Sequence, residues 1–403
     1  MHPSYDIIGT KSEELKGKWV ALCVCGSVAA ARSPDIAREL MRMGAEVFCV
    51  MSESAQKIIH PNLMEWATGN KVVAELTGAI EHVALAGDRE NGVRGRADVV
   101  LVAPATANTI GKAAYGIDDT PVTTLLTTAF GSRIPVIFVP AMHASMYKHP
   151  FVMENVAKLE RAGAEFVMPV LSEGKAKLAD VEEICDYVVR ATREKDLSGR
   201  RIIVTAGATR ERIDDIRFIS NPSTGRMGVA VAREAWLRGG DVMLVYGHTE
   251  TKIPGYVKTV RADTIDETVR ALEKMKYDIC VLTGAPADFG VRKEKGKISS
   301  KKPLTLELIP LKKISEIARG KCRRMVLFKA ESSVSDQELR NRAKRKLLES
   351  RADLIVANDV SRRGAGFGSE TNDVMIISKR GTVEKIGGSK REIARRIFDI
   401  LQS

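Results

Sequence analysis

A polar, glycine-containing segment near the middle of the chain has the residue types of a phosphate-binding loop. Residues 207–228 read GATRERIDDIRFISNPSTGRMG and follow an apolar stretch, 202–205, that predicts a strand. Serine, asparagine, threonine, two glycines and Arg226 come before or at the start of a predicted helix, where backbone N–H groups attract anions. The segment therefore predicts a site for a phosphorylated ligand more strongly than it predicts an ordinary loop.

A second strand–turn–helix opening lies near the N-terminus. Residues 20–25 (VALCVC) predict a strand, 26–30 (GSVAA) a turn and 32–43 a helix. The turn departs from GxGxxG, so it supports a dinucleotide site only weakly. Its small residues still let a phosphate approach the helix start, with Ser27 as a donor, although a merely tight turn stays open as an alternative. Two such openings suggest two active sites.

Other polar residues follow predicted strands of the first half. The segment 103–108 (APATAN) ends one strand and offers Thr106 and Asn108 at the edge where open α/β sheets bind ligands. His82 comes one loop earlier, and PAMHASMY (140–147) ends the next strand. Each has a plain alternative: a helix cap, a surface histidine and core packing, respectively. In the second half, Lys297 could be merely solvated, and Asn358-Asp359 merely a turn.

Apolar strands alternate with amphipathic helices throughout, which indicates parallel sheets covered on both faces. In the first half we predict strands at 19–25, 46–51, 98–103, 134–139 and 165–168, and helices at 32–43, 53–59, 62–67, 105–115, 120–129, 150–162 and 180–194. In the second half we predict strands at 201–205, 241–246, 257–260, 278–283, 324–328, 353–356 and 373–378, and helices at 226–239, 264–275, 311–319, 335–350 and 389–401. Residues 193–201 read as a linker, and the lysine-rich 293–303 as an exposed, mobile flap.

Length and composition exclude several classes. A chain of 403 residues exceeds one ordinary core, so we expect two domains. The net charge of +12 is uneven, because residues 1–192 carry −4 and the remainder +16. With 5% aromatic residues and no nucleic-acid-binding motif, the basic half favours small polyanionic substrates over nucleic acid. The six cysteines form no CxxC pair, which indicates reduced, buried thiols, and the histidines lack the spacing of a metal site. The sequence shows no signal peptide and no membrane span, which predicts a cytoplasmic protein.

Taken together, APATANTIGKAAYG, PAMHASMY, ATRERIDDIRFISNPSTGRMG, ADLIVANDV and FGSETNDV resemble, in order and spacing, the bifunctional coenzyme A biosynthesis proteins of the CoaBC/Dfp family. The resemblance runs from about Lys18 to the C-terminus, and the His143 form of the methionine motif is similar to archaeal members. It implies an α/β chain with two Rossmann-like domains. The first, residues 1–192, would be a flavodoxin-like FMN-dependent phosphopantothenoylcysteine decarboxylase, and the second, 193–403, a phosphopantothenate–cysteine ligase.

For the first domain the resemblance implies an FMN cofactor that makes loss of CO₂ from cysteine possible by transiently oxidising the thiol. His82 matches an essential histidine that would act as a base or orienter, and His143 stands where the family has an asparagine near the substrate carboxylate. The flap that usually carries a cysteine, here 172–178 (SEGKAKL), has none, and Cys185 falls within a predicted helix. The implied FMN-binding residues are Gly26, Ser27, Ala29, Ser52, Ala105, Thr106, Asn108, Asp119, Thr123 and Met142.

For the second domain the resemblance implies that CTP and Mg²⁺ activate phosphopantothenate as an acyl-cytidylate, which the amine of cysteine then attacks. Asn221 would lie near the reacting acyl group, and Lys297 would close on the intermediate and stabilise developing charge. The family has a second lysine four residues beyond the position of Lys346, and this chain has Ser350 there. The implied substrate- and nucleotide-binding residues are Arg217, Arg226, Thr283, Gly284, Asp288, Lys297, Lys312, Phe328 and Lys346.

The resemblance also implies a homo-oligomer, with trimeric flavin domains and dimeric ligase domains that together could form a dodecamer. Small molecules (4′-phosphopantothenate, cysteine and CTP) are the expected partners, without nucleic acid or membrane. A nicotinamide-dependent oxidoreductase is the nearest enzymatic alternative, but it predicts GxGxxG and an acidic ribose-binding residue. A basic nucleic-acid-binding protein is the alternative from another class, and it predicts strongly salt-dependent polynucleotide binding.

Overall fold

The fold was obtained as a computed structural model that describes residues 2–88, 97–362, 366 and 368–402. The chain forms two compact units, Met1–Glu194 and Lys195–Ser403. Each unit has its own sheet and its own buried core, so each is described by itself.

The first unit is built on a sheet of five parallel strands in the order β2-β1-β3-β4-β6. Its strands are β1 (Trp19–Val24), β2 (Glu46–Met51), β3 (Val99–Ala105), β4 (Val136–Pro140), β5 (Met142–His143), β6 (Glu165–Phe166), β7 (Val170–Ser172) and β8 (Lys175–Lys177). Its helices are α1 (Ser33–Arg42), α2 (Glu53–Gln56), α3 (Pro61–Thr68), α4 (Glu81–Ala86), α5 (Ala107–Tyr115), α6 (Pro121–Gly131), α7 (Ala144–Tyr147), α8 (Pro150–Arg161) and α9 (Val181–Thr192), with 3-10 turns at Pro3–Ile7 and Val28–Arg32.

Burial explains why the central strands of this unit read as continuous apolar runs. All seven residues of β3 and the last five of β1 are buried, as expected for parallel strands covered on both faces. Polar caps fix where helices begin: Thr106 caps α5, and Thr120 with Thr123 forms a reciprocal capping box at α6. Strand ends and helix starts are therefore placed at one edge of the sheet.

A separate small sheet, in the order β5-β8-β7, is antiparallel. Strands β7 and β8 form a hairpin whose tip, Glu173-Gly174, has positive φ angles of 50° and 69°. The segment 172–178 that the sequence identified as a flap is thus the second half of a hairpin paired to the residues after β4.

The second unit is built on an eight-stranded mixed sheet in the order β13-β12-β9-β14-β17-β18-β19-β20. Its strands are β9 (Arg201–Ala206), β10 (Arg210–Arg212), β11 (Phe218–Ser220), β12 (Asp241–Tyr246), β13 (Lys258–Arg261), β14 (Ile279–Leu282), β15 (Phe289–Gly290), β16 (Ile309–Pro310), β17 (Arg324–Glu331), β18 (Leu354–Asp359), β19 (Thr371–Ser378) and β20 (Val383–Ser389). Its helices are α10 (Arg226–Leu237), α11 (Ile265–Lys274), α12 (Ile314–Arg319), α13 (Asp336–Ser350) and α14 (Lys390–Gln402).

The first six strands of that sheet are parallel, and their order is the one found in dinucleotide-binding folds, with an antiparallel pair, β19 and β20, added at one edge. Helix α10 approaches the sheet closely at Gly228, where a Cβ atom would come within 2.4 Å of the Ala206 Cβ. Two short antiparallel pairs, β10 with β11 and β15 with β16, lie outside the main sheet.

The predicted fold class, α/β with two Rossmann-like units and a flavodoxin-like order in the first, is confirmed. Several elements differ from the sequence-based prediction. Helix α4, the hairpin β10–β11 and strand β20 were missed, and helix α12 begins at Ile314 instead of 311. The alternative of a turn at Asn358-Asp359 is wrong, because both residues are buried within β18.

The cysteines are free thiols, as predicted; five are buried and Cys322 is partly exposed. Burial raises the pKa of Cys25 and of Cys322 to about 11, and it raises the pKa of Cys23, Cys49 and Cys280 as well. Within the described residues, no helix combines the length and apolar character needed to cross a membrane.

Candidate functional site

The carboxyl ends of β1 and β3 form the point in the first unit where the strand order reverses. The connections that follow β1 and β3 lead to opposite faces of the sheet, which leaves a crevice beyond the ends of these two strands. The turns that follow β1, β2, β3 and β4 contain most of the residues predicted to bind the cofactor.

The turns after β1 and β2 lie against each other. The backbone N–H of Ser52 donates to the carbonyl of Val24 (3.1 Å), and a Cβ atom on Gly26 would come within 2.4 Å of the Ser54 Cβ. Ser27 caps the 3-10 turn that contains Ala29, and Ser52 caps α2. Two serine-capped turns are therefore neighbours at the strand ends, and the start of a helical turn is a place that attracts anions such as a phosphate.

The turn after β3 is fixed by hydrogen bonds beneath it. Thr106 accepts from the backbone N–H of Thr109 (3.3 Å), and the Thr109 hydroxyl donates to the Cys25 sulfur (3.3 Å), which joins this turn to the end of β1. The peptide bond between Ala103 and Pro104 is cis, Ala105 is buried, and the Asn108 side chain is exposed. The β3 turn thus presents polar groups beside the β1 turn.

Asp119 and Thr123, like the serines and Thr106 described above, have side chains that are hydrogen-bonded within the unit. The Asp119 carboxylate accepts from Lys112 at 2.7 and 2.8 Å, and this bond lowers the pKa of Asp119. The buried Thr123 hydroxyl forms the capping box with Thr120. Asp119 is exposed to solvent. The Thr123 hydroxyl is already used in the capping box, which leaves the methyl group and the backbone of Thr123 for contact with a ligand.

His82 lies on α4, which packs against α6. Its Nδ1 atom is buried and has no hydrogen-bond partner within the described residues. A buried ring nitrogen without a partner costs free energy, so its retention requires an explanation such as a ligand or a catalytic role.

His143 lies where β5 meets the hairpin β7–β8. Its Nδ1 atom contacts the Ser145 hydroxyl (2.9 Å) and caps α7, while its exposed ring faces the hairpin tip, since a Cβ on Gly174 would lie 3.8 Å from Nε2. Met142 pairs with Ala176 and packs on the core. The Ser27 hydroxyl donates to the carbonyl of Ala141 (3.0 Å), which connects the β4 turn to the β1 turn.

In the second unit the strand order reverses between β9 and β14, and hydrogen bonds tie these two strand ends together. The backbone N–H of Gly284 donates to the Thr205 hydroxyl (3.1 Å), and the Thr283 hydroxyl donates to the carbonyl of Thr205. Gly207 has a φ angle of 74°, and a Cβ there would come within 2.2 Å of the His248 carbonyl oxygen. That glycine is needed for close approach between two turns at the crevice.

Asn221 lies at this crevice, directly after the hairpin β10–β11. Its amide nitrogen donates to the carbonyl of Pro286 at 2.9 Å and lies 3.4 Å from that of Ala285. These carbonyls belong to the segment that follows β14, so the loop 207–228 and the 283–286 turn share one side of the crevice. The exposed Asn221 amide is therefore oriented by the protein at the place where a ligand would lie.

The two arginines predicted to bind substrate phosphate are both engaged with protein groups. Arg217 pairs with the buried Asp214 (2.8 Å), and Arg226 pairs with Glu370 (2.5 Å) and donates to the carbonyl of Gly368 (2.8 Å). Each side chain stays about one-third exposed, at 36% and 35%. A phosphate could still reach their open edges, but neither guanidinium is an uncommitted cation.

The remaining predicted residues of the second unit are spread more widely. Register pairs Leu282 with Leu327, which puts Phe328 level with Thr283 on the neighbouring strand. Asp288 forms an ion pair with Lys313 (2.5 Å), next to the exposed Lys312. Lys297 is exposed on the flap, and Lys346 lies on α13, which packs against β18. Of the predicted residues of the second unit, contacts or strand register bring four to the crevice: Asn221, Thr283, Gly284 and Phe328.

Sequence reasoning missed Thr205, Asp214 and Asp215 as residues that organise the second site. Asp214 and Asp215 bind the flap that carries Lys297. Their adjacency inside an otherwise basic polar loop is a signal, but their partners lie about eighty positions away along the chain and leave no local trace. Among the described residues, no three His, Cys, Asp or Glu side chains gather into a metal site.

Comparisons with known proteins show which families the two units match. Residues 8–193 match the family described as Flavoprotein, and residues 197–403 match the DNA/pantothenate metabolism flavoprotein C-terminal domain. The chain is thus a two-unit α/β protein in which a flavoprotein unit precedes a pantothenate-metabolism unit.

Relatives match over nearly the whole chain. The coenzyme A biosynthesis bifunctional protein CoaBC of Thermococcus kodakarensis is 48% identical over 98% of this chain and 98% of its own length. The protein of the same name from Methanocaldococcus jannaschii is 37% identical over 99% and 97%. A solved C-terminal domain of a CoaBC protein is 30% identical over 52% of this chain and 96% of that chain, with a TM-score of 0.42. The chain belongs to the family of bifunctional coenzyme A biosynthesis proteins CoaBC, which confirms the resemblance drawn from the motifs.

Proposed function

We propose that the two units catalyse consecutive steps, each at the crevice where its strand order reverses. The chain is a bifunctional enzyme of coenzyme A biosynthesis, with phosphopantothenate–cysteine ligase and phosphopantothenoylcysteine decarboxylase activities. We assign ligation to the second unit and decarboxylation to the first. The observation that carries this assignment is that polar turns gather at a crevice in each unit, and that each unit matches a different family model.

In the first unit, the residues fit a flavin mononucleotide. Gly26, Ser27, Ala29 and Ser52 would hold its phosphate, since the two serine-capped turns that contain them lie against each other at the ends of β1 and β2. The turn after β3, with Ala105, Thr106 and Asn108, and the residues Asp119, Thr123 and Met142 would line the remainder. The Nδ1 of His82, which has no hydrogen-bond partner in the part of the chain that the structure describes, supports a ligand nearby.

Decarboxylation needs a way to accept the electrons left behind by CO₂, because a cysteine carboxylate has no adjacent group that can do so. FMN, when bound, supplies this by oxidising the substrate thiol and later returning the hydride. The chain's own residues orient the substrate and move protons. His82 would accept the thiol proton, and the His143 imidazole, oriented by Ser145, would contact the substrate carboxylate beside the hairpin tip.

In the second unit, the phosphopantothenate carboxylate would attack the α-phosphate of CTP and release pyrophosphate. The cysteine amine would then attack the acyl carbon, an amide bond would form and CMP would leave. Asn221, oriented by the carbonyl of Pro286, would bind the reacting acyl group, and Lys297 would stabilise the negative charge that develops. Mg²⁺ would arrive with the triphosphate, and Thr283, Gly284, Phe328, Asp288, Lys312 and Lys346 would form the nucleotide side.

Two measurements on one purified sample test this proposal. We expect a yellow protein whose flavin is released by acid and identified as FMN, and we expect CO₂ and phosphopantetheine from phosphopantothenate, cysteine, CTP and Mg²⁺. ATP in place of CTP tests nucleotide choice. A colourless protein that takes up no FMN would contradict the assignment of the first unit, and the absence of CMP formation would contradict that of the second.

Gly26→Ala is expected to weaken FMN binding roughly tenfold or more, because the added methyl group would overlap the Ser54 Cβ and push the two phosphate turns apart. The measurement is FMN affinity by fluorescence titration of the apoprotein. Gly131→Ala, in open space at the end of α6, is the matched control and should bind FMN normally. Equal affinity for both variants would show that the phosphate does not lie at this turn.

We also propose that the chain forms a homo-oligomer in the cytoplasm. Apolar side chains support this in each unit: Val28, Met168, Val170 and Leu171 are exposed in the first, and Leu304, Leu306, Leu308 and Ile309 in the second. Such patches commonly mark subunit contacts. The trimeric and dimeric arrangements stay predictions for their respective units.

A further inference from the structure

The flap that carries Lys297 is bound to the loop 213–217, which ends at Arg217, one of the residues predicted to bind substrate. Glu294 donates its backbone N–H to the carbonyl of Ile213 (2.9 Å), and Lys293 pairs with Asp215 (2.7 Å). The flap was expected to be mobile, but its first half is held by a specific set of hydrogen bonds. Residues 293–298 with 213–217 are called the latch below.

The latch holds both neighbours of Lys297 by both of their backbone polar groups. Gly296 donates its N–H to the Asp215 carboxylate (3.0 Å), and its carbonyl accepts from the Asp215 backbone N–H (3.3 Å). Ile298 donates its N–H to the Asp214 carboxylate (3.1 Å), and its carbonyl accepts from the Arg217 guanidinium (3.1 Å). Lys297 lies between two residues whose backbones are fixed, while its own side chain stays exposed.

Asp214 is the centre of this arrangement. Its side chain is fully buried and accepts from the backbone N–H groups of Ile216 (2.8 Å) and Arg217 (2.7 Å) as well as from Ile298 and the Arg217 guanidinium. Hydrogen bonds to the charged form stabilise the carboxylate, and they lower the pKa of Asp214 to about 2. At neutral pH the carboxylate is therefore ionised and able to accept all four bonds.

We propose that Asp214 and Asp215 are positioning residues that hold the flap in register so that the Lys297 ammonium lies over the second site. The loop they belong to continues directly into β11 and Asn221, so one segment orients both groups assigned to the acyl centre. Arg217 acts within the latch and holds Ile298. The effect of the latch on cysteine coupling rests on the proposed role of Lys297. The existence of the latch does not, because it concerns only how the flap is held.

Trypsin tests the latch without any assay of activity, because the flap contains Lys293, Lys295, Lys297, Lys301 and Lys302. In native full-length protein, Asp214→Asn should speed cleavage within 293–302 roughly tenfold or more, since the amide group cannot accept the same bonds. Asp215→Ala should also speed cleavage within 293–302. Because Asp215 is exposed, this variant is expected to fold normally, so it separates loss of the latch from a general folding defect. Asp241→Asn, which removes an exposed ion pair with Lys258, is the control and should cleave at the wild-type rate.

A double-mutant comparison tests positioning. If the aspartates act through Lys297, Asp215→Ala should slow cysteine coupling in the wild-type background and add little to Lys297→Gln. Unchanged cleavage in both aspartate variants would overturn the latch, and fully additive losses of coupling would overturn the positioning role. If Lys297→Gln alone couples normally, the proposed role of Lys297 and its positioning fail together, while trypsin still decides whether the latch exists.

Discussion

Lys297→Gln is expected to slow cysteine coupling by roughly 10²–10³-fold, the loss typical when one charged or hydrogen-bonding group is removed from a developing anion. The glutamine side chain keeps some length and polarity but carries no positive charge. The measurement is the rate of phosphopantothenoylcysteine formation at saturating CTP and cysteine. Carboxylate activation is followed separately as a burst of pyrophosphate in the absence of cysteine, and its amplitude should persist.

Lys295→Gln is the matched control, since Lys295 is an exposed lysine of the same flap two residues away. It should couple at close to the wild-type rate. Similar losses in both variants would indicate a general effect of flap charge, and a normal rate for Lys297→Gln would remove that residue from the reaction.

His82→Asn is expected to lower decarboxylation by roughly 10²–10⁴-fold, the range typical of losing a positioned acid or base, while ligation is unchanged. The physical reason is that the buried Nδ1 of the imidazole has no hydrogen-bond partner among the described residues, so this nitrogen could bond to the substrate. The measurement is CO₂ release from phosphopantothenoylcysteine supplied directly, with the FMN content of each sample determined from its absorption.

His60→Asn provides the comparison within the same unit. His60 is an exposed N-cap of α3, and asparagine caps helices well, so both the fold and the rate should be retained. Loss of FMN from His82→Asn would indicate a role in cofactor binding. Decarboxylation within a few-fold of wild type would show that the unpartnered nitrogen is not used in the reaction.

The alternation of strands and helices was readable from the sequence because buried parallel strands are continuous apolar runs. Elements with weak local patterns were not. Helix α4 has only six residues, follows Ile80 at a φ angle of 52°, and has no side-chain cap. Strand β20 contains two glycines and mostly half-exposed positions, so its period-two pattern is faint. Both are specified by tertiary contacts more than by propensity.

The positions of the turns proposed to bind phosphate could be predicted as turns, because a strand followed by small polar residues and a helix defines them locally. The partners of charged side chains could not. Arg217 and Arg226 were predicted to bind the phosphate of the substrate, and the sequence did not show that each is paired with a carboxylate, that of the buried Asp214 for Arg217 and that of Glu370 for Arg226. Which acid meets which base depends on distant segments that the fold brings together, and this also hid the latch.

The environment of the protein's thiols has a consequence for an enzyme whose substrates and products carry thiols. Only the thiolate attacks a disulfide. Five of the protein's thiols are buried, and burial raises the pKa of Cys23, Cys25, Cys49 and of the partly exposed Cys322, which favours the neutral S–H form. Substrate oxidised to cystine therefore meets almost no nucleophile on the polypeptide. The fold protects its catalyst from becoming covalently tied to the compounds that it processes.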